Sequence, residues 1–524
     1  MTEETGFIGQ IRRLSRRLSG TLLSADARDV KAYYNRNDNR KDIFTFDNED
    51  QMKVGGIVLK ELAEEYDTPL YVYDANRLID NYYLYLGSLK NVKNFMLCYA
   101  VKANPNLALL NMFYKLGAGF DVVSGGEISR CLAAGVDPSR IIFSGCGKSM
   151  EEIELAVKSD VQCINVESWG ELDRIEMIAN RYNKIQDISI RVNPDLNLDG
   201  HSHSNTSTSS GHKFGVPIGE ALEIYSRAKA SANLKIKGIS CHLNSNINQI
   251  EPFIEARDKL LQLADELRQE SRICVEHINL GGGFAAQIET NIDTPDIPQL
   301  VERLAKPITD RGLKLVLEPG RSLVSDAGVL LTKVEYIKTA HRELSGTTSP
   351  RSGSFISGTS PLNTSRSHPL SRTKTFAIVD AGFNDFSRTA LYGQQHNIVP
   401  IHANRQEPSS PGLPTEFKYD IAGPICETTD VFYKDLTLNH KLQPGDYLII
   451  ADTGAYGSSM SNNYNTRNKV AEVLITDCHP VLIRERQRYE EQFAKEKIVP
   501  DLKLKSLNVL TEVESQEDLT NNNA

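Results

Sequence analysis

Phe95-Met96-Leu97-Cys98-Tyr99-Ala100-Val101-Lys102-Ala103-Asn104-Pro105-Asn106 is an uncharged, largely apolar run that ends in one lysine and a turn. Residues 95–101 read as a strand buried on both faces. Asn104, Pro105 and Asn106 stop it. Lys102 is thereby delivered to the exit of a buried strand, where poor hydration favours the neutral, nucleophilic amine. Such an amine forms a Schiff base with an aldehyde. A lone lysine at a strand end also commonly extends its ammonium to solvent. The rest of the chain decides between the two.

Seven further strand-like runs follow, at residues 119–124, 141–145, 163–168, 187–194, 236–243, 277–283 and 314–320. Between them, residues 126–134, 150–157, 169–181 and 254–268 repeat apolar side chains at three- and four-residue spacing, as helices do. Eight strand-then-helix units in roughly 250 residues predict an α/β chain built on a (β/α)₈ TIM-type barrel. A doubly wound sheet should open with a glycine-rich nucleotide turn, and this chain has Lys102 there instead. Barrels of this kind carry their chemistry at the C-terminal ends of the strands, where the unusual residues of this chain lie.

The 524 residues are enough for two domains with sizeable cores. A net charge of −9 argues against nucleic acid as the main partner. The eight cysteines form no CxxC pair, which predicts buried, reduced thiols and a cytoplasmic protein. No apolar run reaches the ~18 residues of a membrane span, so no membrane partner is expected. Phe7, Ile8, Ile11, Leu14 and Leu18 alternate with Arg12, Arg13, Arg16 and Arg17, in the manner of an amphipathic targeting segment. Glu3 and Glu4 argue against import, which stays open.

We divide the chain into an N-terminal extension (1–40), a segment joining a β domain (41–70), the barrel (71–338), a disordered Ser/Thr-rich insertion (344–373), an all-β C-terminal domain (374–487) and a polar tail (488–524). Within the β domain, residues 376–379, 447–450 and 470–475 read as strands. Residues 57–62 and 69–73 read as possible additions to it.

Three constellations carry chemistry. Asn279-Leu280-Gly281-Gly282-Gly283 ends the seventh run, and consecutive glycines let backbone N–H groups close on a phosphate. Glu318-Pro319-Gly320-Arg321 ends the eighth, offering a carboxylate for a pyridine nitrogen and a guanidinium for an anion. His242, in Cys241-His242-Leu243-Asn244-Ser245, is placed to stack on a planar cofactor or to sit as a satisfied core residue.

Together with Phe120-Asp121-Val122-Val123-Ser124-Gly125-Gly126-Glu127, these motifs resemble the fold-type III pyridoxal-phosphate enzymes. Within them, the chain is most similar to the diaminopimelate decarboxylases. Asp380-Ala381-Gly382, Arg388 with Tyr392, Gly423-Pro424-Ile425-Cys426-Glu427, Gly454-Ala455-Tyr456-Gly457, Ser461 and Asn463-Tyr464-Asn465 carry the resemblance into the β domain. It covers roughly residues 55–485.

The resemblance implies pyridoxal 5'-phosphate as cofactor, no metal, and decarboxylation of meso-2,6-diaminopimelate to L-lysine. It makes Lys102 the Schiff-base lysine. Gly281, Gly282, Gly283, Ser245, Gly320 and Arg321 would hold the phosphate. His242 would stack on the ring, and Glu318 would pair with its nitrogen. Arg321, Arg388 and Tyr392 would bind the distal carboxylate and Glu427 the distal amine. Tyr456 would contact both cofactor and substrate. Cys426 would return a proton, with Cys426 and Glu427 reaching the neighbour's site in a homodimer with shared active sites. Physically, a carboxylate at 318 favours the protonated ring and hence decarboxylation over racemisation.

Departures from the family pattern are Asn244 in place of a glycine, Asn246 in place of a glutamine, residues 284–288, and the His/Ser/Thr-rich stretch before Lys213-Phe214-Gly215. They bear on the substrate more than on the chemistry. A related decarboxylase of ornithine, arginine, carboxynorspermidine or a siderophore precursor is the alternative. A non-catalytic pyridoxal-phosphate binder or regulator is the alternative of another class.

Overall fold

The structure, a computed structural model, describes residues 43–47, 51–196, 213–286, 294–342, 372–402 and 416–499. The expected targeting segment and residues 344–371 of the expected insertion lie outside the described residues, as does most of the polar tail, while Arg372 and Thr373 begin a strand.

Eight parallel strands, β1 (Phe95–Ala100), β2 (Gly119–Val122), β3 (Ile141–Phe143), β4 (Cys163–Val166), β5 (Gln186–Asn193), β6 (Leu234–Ser240), β7 (His277–Asn279) and β8 (Lys314–Leu317), form one sheet. Each pairs with its sequence neighbour, and β8 pairs with β1, which closes the barrel. Closure buries both faces of every strand, which is why the sequence reads as apolar runs rather than alternation. The strands are shorter than the sequence suggests at their C-terminal ends. Residues 123–124, 144–145, 167–168, 241–243, 280–283 and 318–320 continue the runs as loops.

Those loops end in helix caps. The side chains of Ser124, Ser149 and Ser168 accept from the N–H of Glu127, Glu152 and Glu171, and Ser149 with Glu152 makes a reciprocal capping box. The helices Gly125–Ala133, Met150–Lys158, Trp169–Arg181 and Glu251–Glu270 correspond to the predicted ones. Leu107–Lys115, Ala221–Lys229 and Ile297–Thr309 complete the outer ring unpredicted. Ala75–Ser88, ahead of β1, packs against Ile297–Thr309.

A second sheet is organised on the strand Gly328–Arg342. Leu70–Asp74 pairs antiparallel with it and parallel with Ala471–Thr476. Arg372–Val379 and Tyr447–Ile450 lie against it too. The stretch 57–62, expected to be extended, is a strand only at Ile57–Val58. From Leu59 it is the helix Leu59–Tyr66, whose buried Leu59, Leu62 and Ala63 share one face. Among the described residues no helix is long and apolar enough to cross a membrane. All eight cysteines are unpaired, but Cys274, Cys426 and Cys478 are exposed, so the expectation of uniformly buried thiols holds only for part of them.

Candidate active site

The strand registers put Asp121 on β2, Asn165 on β4, Ser240 on β6 and Glu318 just past β8 in one layer across the barrel. A barrel of this shape fills its interior in layers of about four side chains from alternate strands, usually branched and apolar. Here the top layer is polar throughout, with all four residues buried. Asp121 Oδ1, Asn165 Oδ1 and Ser240 Oγ make no hydrogen bond among the described residues. Buried polar atoms are costly unless satisfied, so a layer built this way calls for a polar guest.

Above the layer opens a cavity of about 520 Å³. Lys102, His242, Ser245 and Glu318, all expected from the sequence, line it together with Asp121, Arg191, Asn165, Ser240, Cys146 and Phe214. Lys102 sits on a single 3-10 turn, Val101–Ala103, that leaves β1 at the turn the sequence marked. Its Nζ donates to Asp121 Oδ2 at 2.7 Å. Burial works to lower the Lys102 proton affinity, but the Asp121 carboxylate, Tyr456 and Glu318 outweigh it, and the net shift is upward. This corrects the expectation of a neutral amine: the ion pair holds Lys102 as an ammonium. Burial and the Asp121 charge raise Glu318, whose Oε1 accepts from Asn279 Nδ2 at 2.5 Å. Burial first, then Lys102 and Arg191, push His242 well below 6.5. Its ring is therefore neutral, and Nδ1 accepts from Gly282 N at 3.2 Å.

Gly281 and Gly283 have φ of +67° and +92°, which only glycine adopts cheaply. A Cβ on Gly282 would lie 2.1 Å from the Glu318 carbonyl oxygen, and one on Gly283 would lie 1.9 Å from that of Asn244. The triplet thus lets three loops meet, and Asn244 presses against it with its backbone while its Oδ1 accepts from Ser245 N. A Cβ on Gly320 would crowd Ala100 and Ala103, so that glycine keeps the Lys102 turn against the loop after β8.

Arg321 lies beside this cradle, with Nη2 3.3 Å from Ser245 Oγ and a buried Nε that has no partner among the described residues. Its guanidinium stacks on Tyr456 at 4.7 Å, and Arg388 stacks on the same ring at 5.3 Å and on Tyr392 at 4.9 Å. Both arginines are buried, yet among the described residues neither has a carboxylate partner. Burial and the neighbouring Arg321 lower Arg388 to about 10. Two desolvated guanidiniums around one tyrosine are a site for an anion. Tyr456 belongs to the second sheet's loop, in the left-handed region at φ +56°. Its N–H donates to Ala103 O at 2.7 Å, and Ser459 Oγ donates to the same oxygen. The two domains therefore meet at the Lys102 turn.

Cys426 and Glu427 are not brought to the cavity; both are exposed on a loop with Tyr464. Sequence reasoning assigned no role to Asp121, Asn165, Ser240 or Arg191. Arg191 was findable, as a charge inside the run 187–194. It pairs with Glu167 at 2.7 Å, and Glu167 also accepts from Gly215 N. The Arg191 guanidinium lies over Phe214 at 5.0 Å, so the pair ties that arm to the barrel rim.

The pyridoxal-binding domain of the pyridoxal-dependent decarboxylases matches residues 84–325. A diaminopimelate decarboxylase of Neisseria meningitidis is 41% identical over 435 residues, 83% of this chain and 96% of the relative. Among solved structures, the diaminopimelate decarboxylase of M. jannaschii in complex with L-lysine superposes with a TM-score of 0.76 at 32% identity, covering 88% of this chain and 99% of the other. That of Helicobacter pylori with L-lysine gives 0.71 at 35% identity, covering 83% and 98%.

Proposed function

The chain belongs to the diaminopimelate decarboxylases, and from that membership and the cavity at Lys102 we infer its reaction. It is a carboxy-lyase that uses pyridoxal 5'-phosphate to convert meso-2,6-diaminopimelate to L-lysine and CO₂, the last step of lysine biosynthesis. The observation that carries the assignment is the pair of buried arginines that have no carboxylate partner among the described residues, both stacked on Tyr456, whose N–H donates to the Lys102 turn. A substrate with a second carboxylate needs such a pair, and a plain diamino acid does not.

The donor set fits the cofactor: an amine at a cavity floor, a neutral imidazole, a buried carboxyl, a glycine cradle and an unpartnered guanidinium edge. Pyridoxal phosphate, when bound, supplies the electron sink for the carbanion left as CO₂ departs. Lys102 is the residue that holds it covalently. The Asp121 carboxylate, paired with Lys102 Nζ, would set how readily that amine gives up its proton. His242, kept neutral, offers a flat face without adding positive charge against the ring. Glu318 is the carboxyl for the ring nitrogen; its burial favours a proton on the pair, and a cationic nitrogen would draw the carboxyl to its charged form. Gly281, Gly282 and Gly283 would shape the phosphate cradle, with Gly281 N and Gly282 N already donating to Asn279 Oδ1 and His242 Nδ1, and Ser245, Gly320 and Arg321 would complete it. Arg321, Arg388 and Tyr392 orient the distal carboxylate, and Tyr456 packs between the two arginines.

We assign Cys426 to reprotonation and Glu427 to the distal ammonium. Both are exposed on a loop outside the lining of their own cavity, which supports a homodimer in which each loop completes the partner's site. The reading also carries a cytoplasmic location. Borohydride reduction of the holoenzyme followed by peptide mapping tests the anchor: the cofactor should be fixed on Lys102, and a label on another lysine would overturn the site.

A further inference from the structure

We propose that Asp430 is a positioning residue that clamps the Cys426–Glu427 loop in its working shape. The inference rests on the reading that this loop serves an active site, and it names the residue on which that service depends.

The Asp430 side chain is buried and makes two backbone contacts on different segments. Oδ1 accepts from Phe383 N at 2.7 Å and Oδ2 from Ile425 N at 2.7 Å. The first immediately follows Asp380-Ala381-Gly382 and the second immediately precedes Cys426. The carboxylate therefore joins the backbone just ahead of Cys426 to the segment at Phe383. Gly423 is what lets it approach: a Cβ there would lie 2.4 Å and 2.6 Å from the two carboxylate oxygens. The backbone closes the same turn, with Gly423 N donating to Asp430 O at 3.0 Å and Asp430 N to Glu427 O at 3.2 Å.

The clamp continues to the Cys426 backbone and the Glu427 side chain. Cys426 N donates to Asn465 Oδ1 at 2.9 Å, with Asn465 held at φ +55°. Phe383, whose N–H Asp430 holds, stacks on Tyr464 at 5.7 Å. The Tyr464 hydroxyl in turn donates to Glu427 Oε1 at 2.7 Å. One buried carboxylate thus fixes the backbone just ahead of the thiol and, through Phe383 and Tyr464, bears on the Glu427 side chain.

Only a carboxylate does this. Both of its oxygens accept, whereas an asparagine would turn an NH₂ donor toward one of two N–H donors. Asp430→Asn should therefore release one loop while leaving the barrel cavity untouched.

The test uses the full-length holoenzyme. Asp430→Asn should lower kcat for meso-diaminopimelate at least tenfold. It should also change the rate at which a disulfide reagent modifies Cys426, mapped by mass spectrometry, at least threefold. The cofactor absorbance and borohydride labelling of Lys102 should stay as in wild type. A kcat within twofold of wild type with an unchanged Cys426 rate would overturn the proposal. Should the variant fail to fold, amide exchange in the wild-type chain decides: slow exchange at Phe383 and Ile425 supports the clamp, and exchange at the rate of free loops overturns it. Cys426→Ala separates the two readings. Full activity in that variant removes the loop's catalytic role, while thiol reactivity and amide exchange still judge the clamp.

Discussion

Replacing Asp121 by asparagine should make Lys102 a better amine and a worse ion pair at the same time. Asp121 Oδ2 lies 2.7 Å from Lys102 Nζ, with the aspartate buried and the lysine side chain 34% exposed toward the cavity. A charge-assisted hydrogen bond contributes about 1.5–3 kcal/mol. Because the lysine is partly solvated, screening puts this pair at the low end, about 1.5 kcal/mol. At 1.36 kcal/mol per pKa unit that is a fall of about one unit in the Lys102 proton affinity. The sign follows from the direction of the shift: the carboxylate raises the lysine above 10.5, so removing its charge lowers it. Below that pKa the neutral fraction grows tenfold per pH unit. Capture of pyridoxal phosphate by the cofactor-free protein, followed by visible absorbance between pH 7 and 9, should therefore rise about tenfold at each pH. The log-rate line should move by about one unit without changing slope. Any loss of positioning would lower the limiting rate at high pH rather than move the line along the pH axis. A line that coincides with wild type would refute the ion pair as the control on the amine.

Arg388→Ala should cost meso-diaminopimelate about 2–3 kcal/mol in kcat/KM, roughly a hundredfold, because a buried guanidinium is lost opposite a carboxylate; a change under threefold would remove Arg388 from the substrate site. His242 is held neutral by burial, so His242→Phe should keep kcat within about tenfold and His242→Ala should lose more, the difference being the flat contact measured by cofactor dissociation. The pH profile should show no limb from His242 between pH 6 and 8. Mixing Lys102→Ala with Cys426→Ala under subunit exchange should restore about a quarter of wild-type sites, since under two-fold pairing the mixed dimer has one intact site; a dead mixture would place Cys426 within its own chain or outside the reaction.

The sequence made legible what lies at strand ends. Lys102, His242, Glu318 and the Gly281–Gly283 triplet interrupt apolar runs, so their types and spacing announce chemistry before any coordinates exist. The polar layer was hidden because Asp121, Asn165 and Ser240 each look like one polar residue inside a strand. Only the register of eight strands brings them into one plane with Glu318. The charge on Lys102 was misjudged for the same reason: its partner is on the next strand, 19 residues away. Ile297–Thr309, which was not predicted, carries Pro298 and Pro307, residues that ordinarily interrupt a helix. The first sits within the initial turn after the Asp296 cap, where a missing N–H costs nothing. Asp430 was quoted in no motif, since its function is carried by two backbone N–H groups that a side-chain pattern does not reveal.

The central claim is that this cavity decarboxylates a diamino acid with two carboxylates. Purified holoenzyme should be offered meso-diaminopimelate, ornithine, arginine and lysine separately, and CO₂ release measured for each. We predict that meso-diaminopimelate exceeds the other three by at least a hundredfold in kcat/KM and that L-lysine accumulates in step with CO₂. Equal or faster release from ornithine or arginine, or no release from any of the four, would contradict the account.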